Sequence, residues 1–156
     1  MKKVFSLSEL ANEIDKKRNG KKVVFTNGCF DLLHVGHVRY LQEARALGDF
    51  LVLGLNSDAS VSKLKGPERP VQVQDDRAEI LASLECISFV TIFDEPTPLN
   101  LIETIKPDIL VKGGDWPVEK IVGADFVLKN GGQVKSLPFH KGRSTTGIID
   151  KILKTT

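Results

Sequence analysis

The chain has 156 residues, with 22 basic and 20 acidic side chains, a formal net charge of +2 and 41% hydrophobic residues. That is enough for one domain with its own core, and the composition is ordinary for a soluble globular protein. The charge is too evenly balanced to point to nucleic acid or to a membrane surface, and no apolar run approaches the roughly 18 residues of a membrane span. The basic start, Met1-Lys2-Lys3, is followed by Glu9, Glu13 and Asp15, which interrupt any signal-peptide core. Two cysteines in unrelated contexts, Cys29 and Cys86, fit a reduced cytoplasmic protein and argue against a disulfide scaffold. No CxxC pair or clustered Cys/His set is present, so no structural metal site is expected.

Leu10, Ala11 and Ile14 recur at helical spacing within residues 8–17, and Asn19-Gly20 follows as a stop signal. A first strand is expected over 22–26, then a polar and Gly turn, then a helix over 35–47 with Val38, Leu41 and Ala44 on one face. Residues 50–56 form an apolar run dense enough for a strand buried on both faces. A short helix over 57–64 leads into Lys65-Gly66-Pro67-Glu68-Arg69-Pro70, a loop punctuated by one Gly and two Pro. A helix over 75–84, a strand over 87–93 and a helix over 97–105 closed by Pro107 come next. Residues 109–111 form a fourth strand, 112–117 a Gly-rich loop, 123–129 a helical piece, 133–137 a fifth strand and 144–153 a last helix. Strands alternating with helices predict an α/β fold, a single doubly wound Rossmann-like domain with a mostly parallel five-stranded sheet. No linker or repeat divides it. One domain over 1–156 is expected, with residues 1–20 as an N-terminal helix preceding the core.

In such folds ligands bind outside the carboxyl ends of the strands. Residues 26–37 follow the first strand and Asn56, Ser57, Asp58, Lys63 and Lys65 follow the second. Lys112-Gly113-Gly114-Asp115-Trp116 follow the fourth, and residues 140–146 follow the last and open the final helix. Four strand ends thus offer Gly, hydroxyl, Lys, Arg and His groups, more donors than one phosphate requires. His34 and His37 flank Gly36 at a helix start; imidazoles there can donate to phosphate oxygens, and Gly36 lets the backbone approach. Their bland reading is one capping and one buried histidine. Gly142-Arg143-Ser144-Thr145-Thr146 combines helix-capping hydroxyls with a cation, a set suited to the outer phosphates of a triphosphate. The Walker pattern GxxxxGK(S/T) is absent. Lys63, Lys65, Arg69 and Arg77 form a basic group around the Pro-rich loop, which otherwise reads as a solvated surface loop. Lys112 ends a buried strand, where an unpaired charge is costly. Trp116 is placed either to stack a base or to cover the core edge.

His34-Val35-Gly36-His37 with Ser144-Thr145-Thr146 resembles the cytidylyltransferase-like nucleotidyltransferases. Thr26-Asn27-Gly28-Cys29-Phe30-Asp31, Asn56-Ser57-Asp58-Ala59-Ser60-Val61, Leu64-Lys65-Gly66, Arg69-Pro70-Val71, residues 107–115 and Gly131-Gly132-Gln133-Val134 narrow the likeness. These segments, running from about Lys21 to Ile152, are similar to the adenylyltransferases of bacterial ADP-heptose synthesis. The resemblance implies ATP and D-glycero-β-D-manno-heptose 1-phosphate as substrates. It implies Mg2+ held mainly by phosphate oxygens and water, no metal bound by the protein alone and no organic cofactor. By the same likeness His34 and His37, with Lys63 or Lys65, are the catalytic set. Thr26, Asn27, Gly28, Cys29, Phe30, Gly36, Arg77, Arg143, Ser144, Thr145 and Thr146 bind the nucleotide, with Lys112, Gly113, Asp115 and Trp116 around base and ribose. Asn56, Asp58, Lys65 and Arg69 are expected on the substrate side.

Two features depart from that pattern. The domain is fused to a sugar kinase in many bacteria, and here a separate kinase chain is expected to supply the sugar phosphate. Gly114-Asp115-Trp116 resembles the Gly-Asp-Trp of glycerol-3-phosphate cytidylyltransferases, which makes a CTP-using enzyme the nearest alternative, whereas Lys112 favours the heptose group. A nucleotide-binding module without catalysis is the alternative from another class. No nucleic-acid or membrane partner is expected. Apolar helices flanking an edge strand are compatible with a homodimer.

Overall fold

The structure is a computed structural model that describes residues 1–156. Its first helix, α1 (Leu7–Arg18), starts at Ser6, whose side chain accepts from the Glu9 amide while the Glu9 carboxylate accepts from the Ser6 amide. This reciprocal cap satisfies two donors that a helix start otherwise leaves unpaired. The chain then runs β1 (Val23–Gly28), α2 (Val35–Arg45), β2 (Phe50–Asn56), α3 (Asp58–Lys65) and α4 (Gln74–Ala82). The second half is β3 (Phe89–Phe93), α5 (Leu99–Ile105), β4 (Ile109–Gly113), a 3-10 turn at Val118–Lys120, α6 (Ala124–Lys129), β5 (Gln133–Leu137) and α7 (Thr145–Thr155).

The five strands form one sheet in the order β3-β2-β1-β4-β5, and every pairing between them is parallel. Alternation along each strand sends neighbouring side chains to opposite faces. In β1, Val23 and Phe25 join a core with Leu10 and Ile14 of α1, Leu101, Ile102 and Ile105 of α5, and Val127 of α6. Val24 faces the other way, with Leu51, Leu53 and Leu55 of β2, Leu41 and Ala44 of α2, and Ala78 and Leu81 of α4. Each fully buried Leu contributes about 1.5–3 kcal/mol relative to an exposed one, so truncating Leu53 would strike the centre of this layer. Both faces of the sheet are covered, which explains the nearly unbroken apolar run of β2. No helix is long and apolar enough to cross a membrane.

Two strands run further than the sequence pattern indicates. The ladder to β2 continues through Asn27 opposite Gly54 and Gly28 opposite Leu55, so residues 27 and 28 are strand rather than turn. Likewise Lys112 pairs with Ser136 and Gly113 with Leu137, which puts the first two residues of the expected Gly-rich loop into β4. In both cases parallel pairing to a neighbour overrides polar or Gly composition. Conversely Ile87 packs in the core before β3 begins, and Pro98 stands as the N-cap of α5, which therefore starts two residues after Thr97.

The order places β1 beside both β2 and β4, so connections leaving β1 and β4 diverge to opposite faces. A crevice opens at that switch point, at the carboxyl ends of the strands.

Candidate active site

The crevice is a cleft of about 640 Å³. Its floor comes from the end of β1 and the start of α2: Asn27, Gly28, Cys29, Phe30, Gly36, His37 and, one turn on, Tyr40. Lys65 at the end of α3 stands on one side, and Lys112 and Gly113 of β4 line another. The segment before α7 closes the far side with Phe139, His140, Lys141, Gly142 and Arg143, continuing into Ser144, Thr145 and Thr146.

His34 is the N-cap of α2 but makes no capping bond with its side chain. Its ring stacks instead on that of His37, with centroids 3.8 Å apart and an interplanar angle of 23°. The Phe30 ring meets His37 edge-on at 5.1 Å. Phe30 has a positive φ of 43°, and Gly28 makes room for its ring: a Cβ on Gly28 would lie 2.7 Å from Phe30 Cε2. Gly36 has a similar duty, since a Cβ there would lie 2.9 Å from the His34 ring and 3.1 Å from Cβ of Arg143. The Gly between the histidines thus allows the far side of the cleft to approach them.

Neither imidazole is a ready cation. Burial lowers the His37 pKa to about 4, with the charges of His34 and Lys65 adding to the effect. Burial and then Arg143 lower that of His34. The Nδ1 atoms of both rings are buried and have no hydrogen-bond partner within the protein. Two neutral imidazoles with unspent polar atoms, ringed by Lys65, Lys112, Lys141 and Arg143, make a site prepared for a polyanion, whose charge would offset the repulsion between these groups.

The α7 end is organised for the same task. Ser144 accepts from the Gly147 amide as N-cap, and Thr145 donates its hydroxyl to the Leu32 carbonyl at 2.9 Å. The second bond pins the helix start to the turn that precedes the histidines. His140 Nε2 lies 3.0 Å from Glu43 Oε1 on α2, a second tie across the cleft.

Several residues singled out from sequence lie elsewhere. Arg77 is wholly buried, and its guanidinium donates to the carbonyls of Gln72, Cys29 and Asn56 and, at 2.8 Å, to the Asp58 carboxylate. Its donors fasten the ends of β1 and β2 to the start of α3. Arg69 is tied to Asp31, Asn56 donates to Ser60 Oγ, and Lys63 is exposed and outside the cleft. Thr26 is buried beneath the floor, with its hydroxyl 2.6 Å from Tyr40 Oη. Asp115 and Trp116 are exposed beside the rim, and Lys112 Nζ stands 5.6 Å from the Trp116 ring centroid. Tyr40 and Phe139, which belong to none of the sequence motifs, also line the cleft. Tyr40 follows His37 by three residues, so helical spacing alone puts both on one face; the position of Phe139 carries no such signal. Burial raises the Cys29 thiol pKa, which makes it a poor nucleophile. No three His, Cys, Asp or Glu side chains cluster as a metal site.

Residues 25–146 match the family model described as cytidylyltransferase-like. The chain is 61% identical over 153 residues to the "Bifunctional protein HldE" of Geobacter sulfurreducens, covering 97% of this chain and 31% of that protein. It is 63% identical over 138 residues to the protein of the same name from Syntrophotalea carbinolica, covering 88% and 28%. It therefore spans about a third of the length of the curated relatives it matches. Among solved structures, the lipopolysaccharide core biosynthesis protein of Thermoplasma volcanium aligns with a TM-score of 0.62 at 29% identity, over 80% of this chain and all of that one. The pantoate-beta-alanine ligase of Francisella tularensis, solved with beta-gamma ATP and beta-alanine, aligns with a TM-score of 0.66 at 14% identity, over 94% and 70%, a likeness of fold alone. The matched residues run from the middle of β1 to the start of α7 and so contain both halves of the cleft: the chain belongs to the cytidylyltransferase-like family.

Proposed function

We propose that this chain transfers AMP from MgATP to D-glycero-β-D-manno-heptose 1-phosphate, giving ADP-heptose and pyrophosphate. The observation that carries the reading is the stacked, partnerless His34–His37 pair facing a ring of cations across one cleft. Such an arrangement suits a reaction whose catalysis is positioning and charge stabilisation rather than covalent chemistry. A phosphate oxygen of the sugar 1-phosphate attacks the α-phosphorus in line. The bond from the α-phosphorus to the oxygen bridging to the β-phosphorus breaks, and its electron pair leaves on pyrophosphate. His34 and His37 donate N–H bonds to the oxygens on which charge builds. Lys65 holds the reacting phosphates, since of the two lysines near the end of α3 it is the one lining the cleft. Arg143, Ser144 and Thr146 grip the outer phosphates at the start of α7, and Mg2+ arrives with the triphosphate. Lys112, Gly113 and the exposed Trp116 flank the base and ribose. Arg77 supports the nucleotide from below through the Cys29 carbonyl.

The acceptor side chain set is Lys65 with Asn56, Asp58 and Arg69 behind it. Residues 1–156 act as one nucleotidyltransferase domain, with α1 preceding the core. A sugar kinase supplies the acceptor. The two free cysteines support a cytoplasmic setting. A homodimer is part of the same reading, supported by the exposed Ile152 and Leu153 of α7, and sedimentation gives its mass.

Pyrophosphate release with Mg2+, crossing ATP and CTP against heptose 1-phosphate and glycerol 3-phosphate, tests the proposal. Turnover confined to ATP with the heptose is expected. CTP with glycerol phosphate would keep the mechanism and change the substrates, with Trp116 as the reason. Nucleotide binding without pyrophosphate from any pair would reduce the chain to a binding module.

A further inference from the structure

Asp31 lines the cleft, three residues before His34, yet its side chain is only 1% exposed. A carboxylate so placed would ordinarily serve as a metal ligand or a base. Its lone pairs are already engaged. Oδ2 accepts from Arg69 Nε at 2.7 Å and from the Val71 amide at 2.9 Å. Oδ1 accepts from the amides of Val71 and Gln72, both at 3.0 Å. Burial alone would raise its pKa, but the Gln72 and Val71 amides and the Arg69 guanidinium outweigh that, and the net shift is downward. An ionised, buried carboxylate with three protein donors is a structural anchor and has little acceptor capacity left for substrate.

All three donors belong to residues 66–73, the connection between α3 and α4. That connection begins at Gly66, whose φ of 101° turns the chain away immediately after Lys65. Ser62 of α3 donates its hydroxyl to the Arg69 carbonyl at 2.6 Å, folding the loop back along the helix that carries Lys65. The last turn of α3 and its loop therefore form one unit, and Asp31 holds that unit to the floor of the cleft. Val71 and Val73 are exposed and give the loop little apolar packing there.

We propose that Asp31 is a positioning residue: its carboxylate fastens residues 66–73 to the turn before His34 and thereby holds Lys65 in place over the reacting phosphates. The inference rests on the nucleotidyl-transfer reading for its consequence in turnover, but the placement of Lys65 can be measured without it. Asp31→Asn loses the charge and presents donors where acceptors are needed, so the strap opens. Lys65 then leaves the neighbourhood of His37, on which its charge acts.

The test is a double-mutant cycle of Asp31→Asn and Lys65→Ala, read two ways. In pyrophosphate release, Asp31→Asn is expected to lower kcat at least tenfold, and adding it to Lys65→Ala should cost less than threefold more. In the ligand-free protein, NMR titration of His37 should show the same upward shift for Asp31→Asn as for Lys65→Ala, with none added in the double variant. Independent, multiplicative losses with an unmoved His37 would overturn the proposal. If no substrate pair gives pyrophosphate, the functional reading fails while the His37 titration still decides the role of Asp31. Should Asp31→Asn not fold, Arg69→Gln loosens the same strap while leaving both backbone donors, the amides of Val71 and Gln72. It should reproduce the His37 shift in part, and no shift at all would again overturn the proposal.

Discussion

On the β2 side of the cleft, Asp31 and Arg77 are buried, Arg69 nearly so, and their charges are spent on partners inside the chain. On the β5 side, Lys141, Gly142, Arg143 and Ser144 stand exposed, and α7 behind them has no buried residue. Both sides are basic in sequence. The difference teaches that one group of cations builds the floor while the other is left free to meet an anion. A buried guanidinium bonded to three carbonyls and a carboxylate has four of its five donors engaged, whereas the exposed Arg143 has most of its donors free.

Substitutions can break that comparison. The largest effect is expected between the two sides, at the histidines: His37→Ala should lower pyrophosphate release by two to three orders of magnitude, about the loss of one transition-state donor, with circular dichroism unchanged. Wild-type turnover in a folded variant would remove the histidines from the chemistry. Next, Arg77→Met should destabilise the protein by about 3–5 kcal/mol in urea denaturation, because it strands the carbonyls and Asp58 around a lost cation. Arg143→Ala should instead change the unfolding free energy by less than about 0.5 kcal/mol while raising the KM for ATP roughly tenfold. Equal destabilisation by the two would erase the distinction between floor and grip.

A smaller effect follows from pH. The folded pKa of His37, about 4, lies below its ordinary value of 6.5, so the unfolded chain takes up the proton first. The stability tied to neutral His37 is fully present above about pH 6.5, falls as the pH drops toward 4, and falls no further below that. Urea midpoints at pH 7, 5.5 and 4.5 should decline, and the decline should shrink in His37→Gln. The smallest effect is expected at Cys29→Ser, which should retain turnover within a few-fold; complete loss would mean covalent chemistry at this thiol.

Much of this was legible in the sequence. The apolar runs of β2 and β4 needed only burial on both faces to be recognised, and the His-x-Gly-His turn and the Ser144-Thr145-Thr146 helix start announced themselves by spacing. What was not legible was the direction in which a charge points. Arg69 and Arg77 flank a Pro-rich loop as surface cations do, and only the tertiary structure turns them inward onto Asp31 and Asp58. Asp31 itself sits in the motif but shows its partners only when residues 66–73 fold beside it. The ends of β1 and β4 are hidden for a related reason: Gly28 and Gly113 read as turn residues locally, yet each has a parallel neighbour that extends the ladder.

α7 has 11 residues, and although Ile148 and Ile149 are half-buried, none of its side chains is fully so. A helix of that length is marginal by itself in water. Its first turn, with Thr145 bonded to Leu32, is where a triphosphate would dock. Ligand affinity and helix content would then be two readings of one equilibrium. If docking orders that turn, part of the free energy of each phosphate contact would go into the helix, and a Kd would understate the contacts themselves. A saturating triphosphate, at about 100 times its Kd, should stabilise the fold by about 2.7 kcal/mol, with the gain in amide protection concentrated along α7 rather than over the sheet.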